Sequence, residues 1–421
     1  MICLLPHAAY LSETSRMIAI YKALAARGAS VVMATHGGLF EGLIASEGIP
    51  YERLSPTMDE ARCRRFIAEN VGVGANLDGP YSEAELEALS ASQADFFRRR
   101  GVRAVVTGFE ISALLSARLA GVPLITEHAG AFVAPVFERG LAPAPSIPPP
   151  PLRRLPAPLI RLLMNTGAHR RDLWARALDR TARRLGVEGV PSLPALLMGD
   201  LTLVTETPEV LGIPQGELHA WRPRHPRAYR QTPTLRYVGP MFAELDLPVP
   251  ARVEAFLAAP GPVAYVALTS TPAETVRRAA LRVAEAGVRV LVAGSGTALP
   301  GLERDGVMVE GVLPSHKIMP RVAFAVTAGG QGSVQCAMAA GTPLIAAPLH
   351  WEQDFNVDRV ARLGAALMVP MREAGGPVMT RAARKVLRRP SYRRAAGRIA
   401  ALYRDWNGPA NAAQAILDYL A

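Results

Sequence analysis

Cysteine is almost absent from this chain: Cys3, Cys63 and Cys336 are the only three in 421 residues. So few and so scattered, they exclude a disulfide framework and a thiolate metal site. Lysine is equally rare, supplying three of the 47 basic residues, so the net charge of +11 is almost wholly arginine. With Ala, Gly and Pro abundant, that bias points to a GC-rich coding genome more than to a phosphate footprint, and no element resembles a nucleic-acid module. Long apolar runs are missing too, none approaching the roughly 18 to 20 residues of a membrane span. The start, MICLLPHAAY, lacks a basic n-region and reads as a first strand, not a signal peptide. That strand is followed by HAAYLSE instead of a glycine fingerprint, which disfavours a hydride-transfer dehydrogenase. No cluster has metal-ligand spacing. A cytoplasmic protein with free thiols, no metal and no resident cofactor is the expectation.

What is present is alternation. The stretch TSRMIAIYKALAARG carries Met17, Ile18, Tyr21, Leu24 and Ala25 at helical spacing and stops at Gly28. A polar helix through 82–100, the strand RAVVTG, the helix ISALLSARLAG and the strand VPLIT continue the series. Such β/α alternation predicts a parallel sheet covered on both faces. Residues 134–158 are proline-rich, and proline there is expected to forbid regular helix. LTLVTE and LRYVGPM close the first half. A second series begins after a proline-bearing stretch at 243–260, and the tail YRDWNGPANAAQAILDYL reads as helix. The length favours more than one core. The expected division is 1–242, a linker at 243–260, 261–401, and a terminal helix at 402–421.

The richest motif is VTAGGQGSVQCAMAAGTPLIAAPLHWEQDFN, residues 326–356. The strand FAVTA runs into Gly329, Gly330, Gly332 and Ser333 before a helix. Bare backbone and a helix N-terminus favour an anion, typically phosphate, although many α/β crossovers need glycine there anyway. The next strand, GTPLIAAPLH, is read as presenting Glu352, Gln353 and Asn356 at its carboxyl end. Strand ends of open parallel sheets are where ligands sit. A carboxylate beside amides suits sugar hydroxyls, which both donate and accept. Diphosphate plus polyol describes a nucleotide sugar.

With LTLVTETPEVLG, RYVGP, VAYVALTS, GVLPSHKIMP and the whole of 326–356, the sequence resembles the family 1 glycosyltransferases of macrolide, glycopeptide-antibiotic and plant secondary-product biosynthesis. The resemblance implies a GT-B-like α/β fold: two tandem Rossmann-like domains with parallel sheets facing a central cleft, and a C-terminal helix crossing back to the N-terminal domain. It also implies an acceptor-binding N-terminal domain and a donor-binding C-terminal domain. Carried over by position, Gly329, Gly330, Gly332, Ser333 and Ser270 would hold the diphosphate. Val312 and Leu313 would lie against the nucleobase. Glu352 and Gln353 would contact the sugar, with His350 beside them. The chain departs from the family at Ala328, where His is usual, at Val312, often Trp, and at Thr269, usually Gly.

Inverting transfer needs a base within reach of the attacking hydroxyl. Alignment to the resemblance puts Glu13 at that position, and Gly108 where the family places an orienting Asp. Against this, Ser12–Glu13 at a helix start would serve equally as a cap, and the helix N-terminus would lower the carboxyl pKa. His7 and His128 are alternative bases. His36 and His316 read as packing or loop residues.

The implied function is metal-independent hexosyl transfer from a UDP- or dTDP-sugar to a hydroxyl of an apolar natural product or lipid. The alternatives are a sugar-nucleotide epimerase of similar fold and a catalytically weakened nucleotide-sugar-binding partner protein. The basic runs FFRRRG and 161–186 leave open a peripheral membrane contact beside a solvated helix face.

Overall fold

The protein is described by a computed structural model over residues 1–421, apart from 72–78, 149–151, 170–175, 230–232, 270 and 295–298. It divides into two compact units. One comprises Met1–Met241 with Trp406–Ala421, the other Phe242–Asp405.

In unit 1 the strands are β1 (Ile2–Leu4), β2 (Val31–Thr35), β3 (Tyr51–Arg53), β4 (Ala104–Thr107), β5 (Leu124–His128), β6 (Leu201–Val204) and β7 (Thr234–Tyr237). Every pairing is parallel, in the order β3-β2-β1-β4-β5-β6-β7. In unit 2 they are β8 (Val263–Ala267), β9 (Arg289–Ala293), β10 (Val307–Glu310), β11 (Phe324–Thr327), β12 (Leu344–Ala346) and β13 (Ala366–Met368). These too are all parallel, ordered β10-β9-β8-β11-β12-β13. The central strands are buried along their whole length, as helices on both faces require. The predicted α/β class with two tandem Rossmann-like sheets is the one observed.

Local signals explain the helices. Ser82 and Glu85 form a reciprocal capping box at the start of helix Glu83–Arg99. Gly121 ends helix Ala113–Ala120 in the left-handed conformation. Proline does not exclude helix from 134–158 as expected. Helix Ala134–Glu138 carries Pro135 in its first turn, and helix Ala157–Gly167 opens behind Pro156 with Pro158 in its own first turn. First-turn amides have no intrahelical acceptor, so proline removes nothing there. Within 243–260, residues Ala251–Ala258 are helical and Val253 is fully buried.

The terminal helix Gly408–Leu420 is capped by Asn407, whose Oδ1 accepts from the Ala410 amide at 3.1 Å. It packs on helix Leu11–Ala25, burying Ala412, Ala413 and Ile416 with Met17, Ile18 and Ile20. Asn411 Nδ2 also donates to the Val238 carbonyl at 3.0 Å. No helix among the described residues is long and apolar enough to cross a membrane.

Gly239 shows why the RYVGP motif needs its glycine. Its φ is +91°, and a Cβ there would lie 2.6 Å from Trp406 Cβ. Gly239→Ala is expected to lower the stability of unit 1 by about 2–4 kcal/mol. Thermal unfolding followed by circular dichroism tests this; an unshifted unit 1 transition would show that Trp406 moves aside at no cost.

Candidate functional site

In a doubly wound sheet the strand order reverses at one point, and the loops leaving the strand ends there diverge to open a crevice. In unit 1 that point lies between β1 and β4; in unit 2 it lies between β8 and β11. Candidate residues follow the carboxyl ends of β1 and β4 in unit 1 and of β11 in unit 2, with His128 at the end of β5, Val312 and Leu313 after β10, and Glu352 and Gln353 after β12.

At the unit 1 switch point, Glu13 stands in the first turn of helix Leu11–Ala25 and is buried. Tyr10 is the N-cap residue and makes no side-chain cap bond, so Ser12–Glu13 does not cap the helix. The carboxylate turns to the strand-end loops instead. Its Oε1 accepts from the backbone amides of Phe109 at 2.7 Å and His7 at 3.1 Å. Oε2 is buried without a hydrogen-bond partner among the described residues. Burial pushes this carboxyl up to about 8, against the opposing pull of the two amides and of Arg16. The helix N-terminus therefore does not set its acidity, as the sequence reading expected; desolvation does.

Gly108 is what makes the room. A Cβ at 108 would sit 3.2 Å from Glu13 Cγ and 3.2 Å from Glu127 Oε2. Arg16, one turn along the same helix as Glu13, donates from Nε to Glu127 Oε2 at 2.7 Å in a buried ion pair. Glu110, at the end of β4, is also buried, accepts from Ser112 Oγ at 2.6 Å and is pushed up to about 7 by burial.

The two alternative bases are placed differently. His7 is buried with its ring stacked on Phe66 at 4.1 Å between centroids, and its Nε2 lies 2.9 Å from Tyr81 Oη. Burial pulls its pKa down to about 3. His128, at the end of β5, accepts at Nδ1 from the Gly130 amide at 3.1 Å and is pulled down to about 4, again chiefly by burial. Sequence reasoning missed the aromatic wall of Tyr10, Phe66, Tyr81 and Phe109, whose rings contact one another beside Glu13. It also missed Arg16, Glu110 and Glu127. The two glutamates were findable, because each follows or ends a predicted strand.

At the unit 2 switch point, β11 leads through Ala328, Gly329 and Gly330 into helix Gln331–Ala339. Gly329 has φ +89°, and a Cβ there would meet Val357 Cγ2 at 2.5 Å. That glycine is needed for packing whatever else it does. Gly330 is the N-cap, makes no side-chain cap bond, and a Cβ on it would meet nothing within 4 Å. Gly332 and Ser333, half-buried, complete the first turn. Ser270 lies outside the described residues, and Ala328 is buried.

Glu352, Gln353 and Asn356 stand on the first two turns of helix Trp351–Arg362, not at the end of a strand, since β12 already ends at Ala346. Asn356 Nδ2 donates to the Gly329 carbonyl at 3.3 Å and to Glu352 Oε1. One amide thus ties the glycine loop to the acidic motif. Gln353 Oε1 is taken by the Leu349 amide at 2.8 Å, leaving its NH₂ group to serve as donor. His350 is the N-cap residue, with Nδ1 3.9 Å from Glu352 Oε2; burial lowers its pKa, against the pull of Glu352. Of the presumed nucleobase contacts, Val312 is half exposed while Leu313 is buried. Among the described residues no group of three or more His, Cys, Asp or Glu is arranged to hold a metal ion.

Residues 283–418 match the erythromycin biosynthesis protein CIII-like family, C-terminal domain. Over this stretch the chain is similar to family 1 glycosyltransferases. It is 26% identical over 308 residues to a PGL/p-HBAD biosynthesis glycosyltransferase of Mycobacterium tuberculosis, covering 70% of this chain and 65% of that one. It is 31% identical over 240 residues to 4'-demethylrebeccamycin synthase of Lentzea aerocolonigenes, covering 54% and 55% of the two chains. The match therefore spans 65% of the length of the mycobacterial relative. Among solved structures, the glycosyltransferase VinC in complex with dTDP superposes with a TM-score of 0.68 at 17% identity, over 100% of this chain and 99% of that one. That likeness shows a GT-B-like fold. The family match covers the 326–356 motif, whereas Glu13 lies outside it.

The buried carboxyl makes a signed stability prediction. Glu13 has a folded pKa near 8 against a reference of 4.5, so the folded state holds its proton more tightly. Its contribution is fully present below pH 4.5 and is lost as pH rises through 8. Arg16, Glu110, Glu127 and His7 surround it and stay in the variant. Glu13→Gln is expected to lie close to wild type near pH 5 and to exceed it by on the order of 4 kcal/mol at pH 9. Urea midpoints across that range check this, and a pH-independent difference would refute the assignment.

Proposed function

We propose that the protein transfers a sugar, with inversion, from a UDP- or dTDP-sugar to a hydroxyl of an apolar acceptor. Unit 2 takes the donor. The first-turn amides of helix Gln331–Ala339 receive the diphosphate beside Gly330, with the helix dipole favouring its charge. Glu352 and the Gln353 amide bind sugar hydroxyls, and Val312 covers the base. Unit 1 takes the acceptor against Tyr10, Phe66 and Phe109, with its hydroxyl at Glu13 Oε2.

In the step itself the acceptor oxygen forms a bond to the anomeric carbon as the bond from that carbon to the diphosphate oxygen breaks. Glu13 Oε2 accepts the hydroxyl proton, and the nucleoside diphosphate leaves as an anion at the helix N-terminus. The observation that carries this reading is the state of Glu13: a buried carboxylate whose Oε1 is anchored by two backbone amides and whose Oε2 has no partner among the described residues. A carboxyl raised toward 8 is a stronger base than an ordinary one and is partly ionised at neutral pH.

One second reading has its own support. Ala328 gives the glycine loop no side-chain donor, and half-exposed Val312 is a small cover for a base. Both suit a protein that binds a nucleotide sugar without turning it over. Calorimetry with dTDP and UDP, followed by a donor-by-acceptor screen, separates the two.

For the transferase, kcat/KM is expected to rise with pH to a plateau with an inflection near 8, since Glu13 acts when deprotonated. A base at His7 or His128 would give a flat profile above pH 5. Glu13→Gln is expected to leave dTDP affinity unchanged and to cost about 10²–10⁴ in turnover. Glu352→Ala is expected to weaken donor-sugar binding by about tenfold. Full turnover in Glu13→Gln would overturn the base assignment.

A further inference from the structure

We propose that helix Ala157–Gly167, with Arg153 and Arg154 just ahead of it, docks on an anionic lipid bilayer. Leu159, Leu162 and Leu163 are 40%, 57% and 41% exposed, and Ile147 is 48% exposed. The three leucines are spaced to share one helical face. The other face is pinned: Ile160 is buried, and Asn165 bonds the Ala142 backbone in both directions, at 3.1 and 2.9 Å. The leucines therefore point outward because the helix is held that way, and a cluster of this kind on a charged protein marks a contact surface.

Charge identifies the occupant. Arg153 and Arg154, just ahead of the helix, are exposed and make no ion pair among the described residues. No Asp or Glu occurs between Glu138 and Asp172. The neighbouring basic helix Arg176–Leu185 is different, since Arg180 and Arg184 pair with Glu83 and Glu87 of helix Glu83–Arg99. Arg153 and Arg154 thus bring positive charge, unpaired among the described residues, beside the leucines. An apolar stripe with uncompensated positive charge suits acyl chains beneath anionic headgroups. A second copy of the chain would set arginine against arginine. The inference stands on this surface and does not depend on the sugar-transfer reading.

The test is flotation of the full chain with phosphatidylcholine vesicles, with and without about a third of phosphatidylglycerol. Binding to the anionic vesicles, lost in high salt and absent from the neutral ones, is the expected result. L162E/L163E and R153E/R154E are each expected to weaken it by roughly tenfold or more, with unaltered circular dichroism because all four side chains are exposed. Absence of binding by wild type would overturn the proposal, as would full binding by both double variants. It would equally be overturned if L162E/L163E converted a wild-type dimer to monomer without changing vesicle binding, since the face would then be an interface between copies.

Discussion

A carboxylate buried in unit 1 without an ion-pair partner of its own among the described residues is the constraint around which that unit's strand ends are arranged. Leaving such a group unsolvated is costly unless hydrogen bonds or protonation compensate. The fold supplies two backbone amides to one oxygen of Glu13 and, among the described residues, nothing to the other. It holds Arg16, whose charge acts on Glu13, in a bond to Glu127. It removes the Cβ at 108 that would press on both glutamates. Burial makes the carboxyl keep its proton to an unusually high pH, while the two amides, which pull the other way, fix it in position. That combination suits a base whose proton acceptor must be strong and whose geometry must not drift.

Unit 2 solves a different problem, how to leave a helix N-terminus uncovered. Gly329 turns the chain in a conformation that other residues avoid, and lets helix Trp351–Arg362 approach so closely that any side chain at 329 would strike Val357. Asn356 then bonds both the glycine loop and Glu352, fixing the acidic motif relative to the bare amides. The glycines of one motif consequently do separate work. Gly329 serves packing, and Gly330 faces open space.

Much of the fold was legible in the chain. Alternating apolar strands and helices specify a parallel α/β architecture because strands buried on both faces and helices buried on one leave distinct periodicities. The motif at 326–356 placed its residues together without any structure, since they are close in sequence. The unit 1 site was not legible in the same way. Glu13, Gly108, Glu110 and Glu127 come from three strand ends, and only pairing of β1 with β4 and of β4 with β5 brings them together. The same holds for the arginines: in sequence, 161–186 is one basic run, but packing against helix Glu83–Arg99 neutralises part of it.

Sequence alone determined the class of fold, the boundary signals of many helices, and the glycine-to-asparagine motif, because these depend on residues within a few turns of one another. Tertiary structure decided what each charge experiences. The ionisation of Glu13, the use of Gln353 as donor only, the burial of Leu313 against the exposure of Val312, and the outward face of Leu159, Leu162 and Leu163 all depend on which distant elements pack nearby. Burial and hydrogen bonding are properties of neighbourhoods, and a linear chain does not state its neighbours.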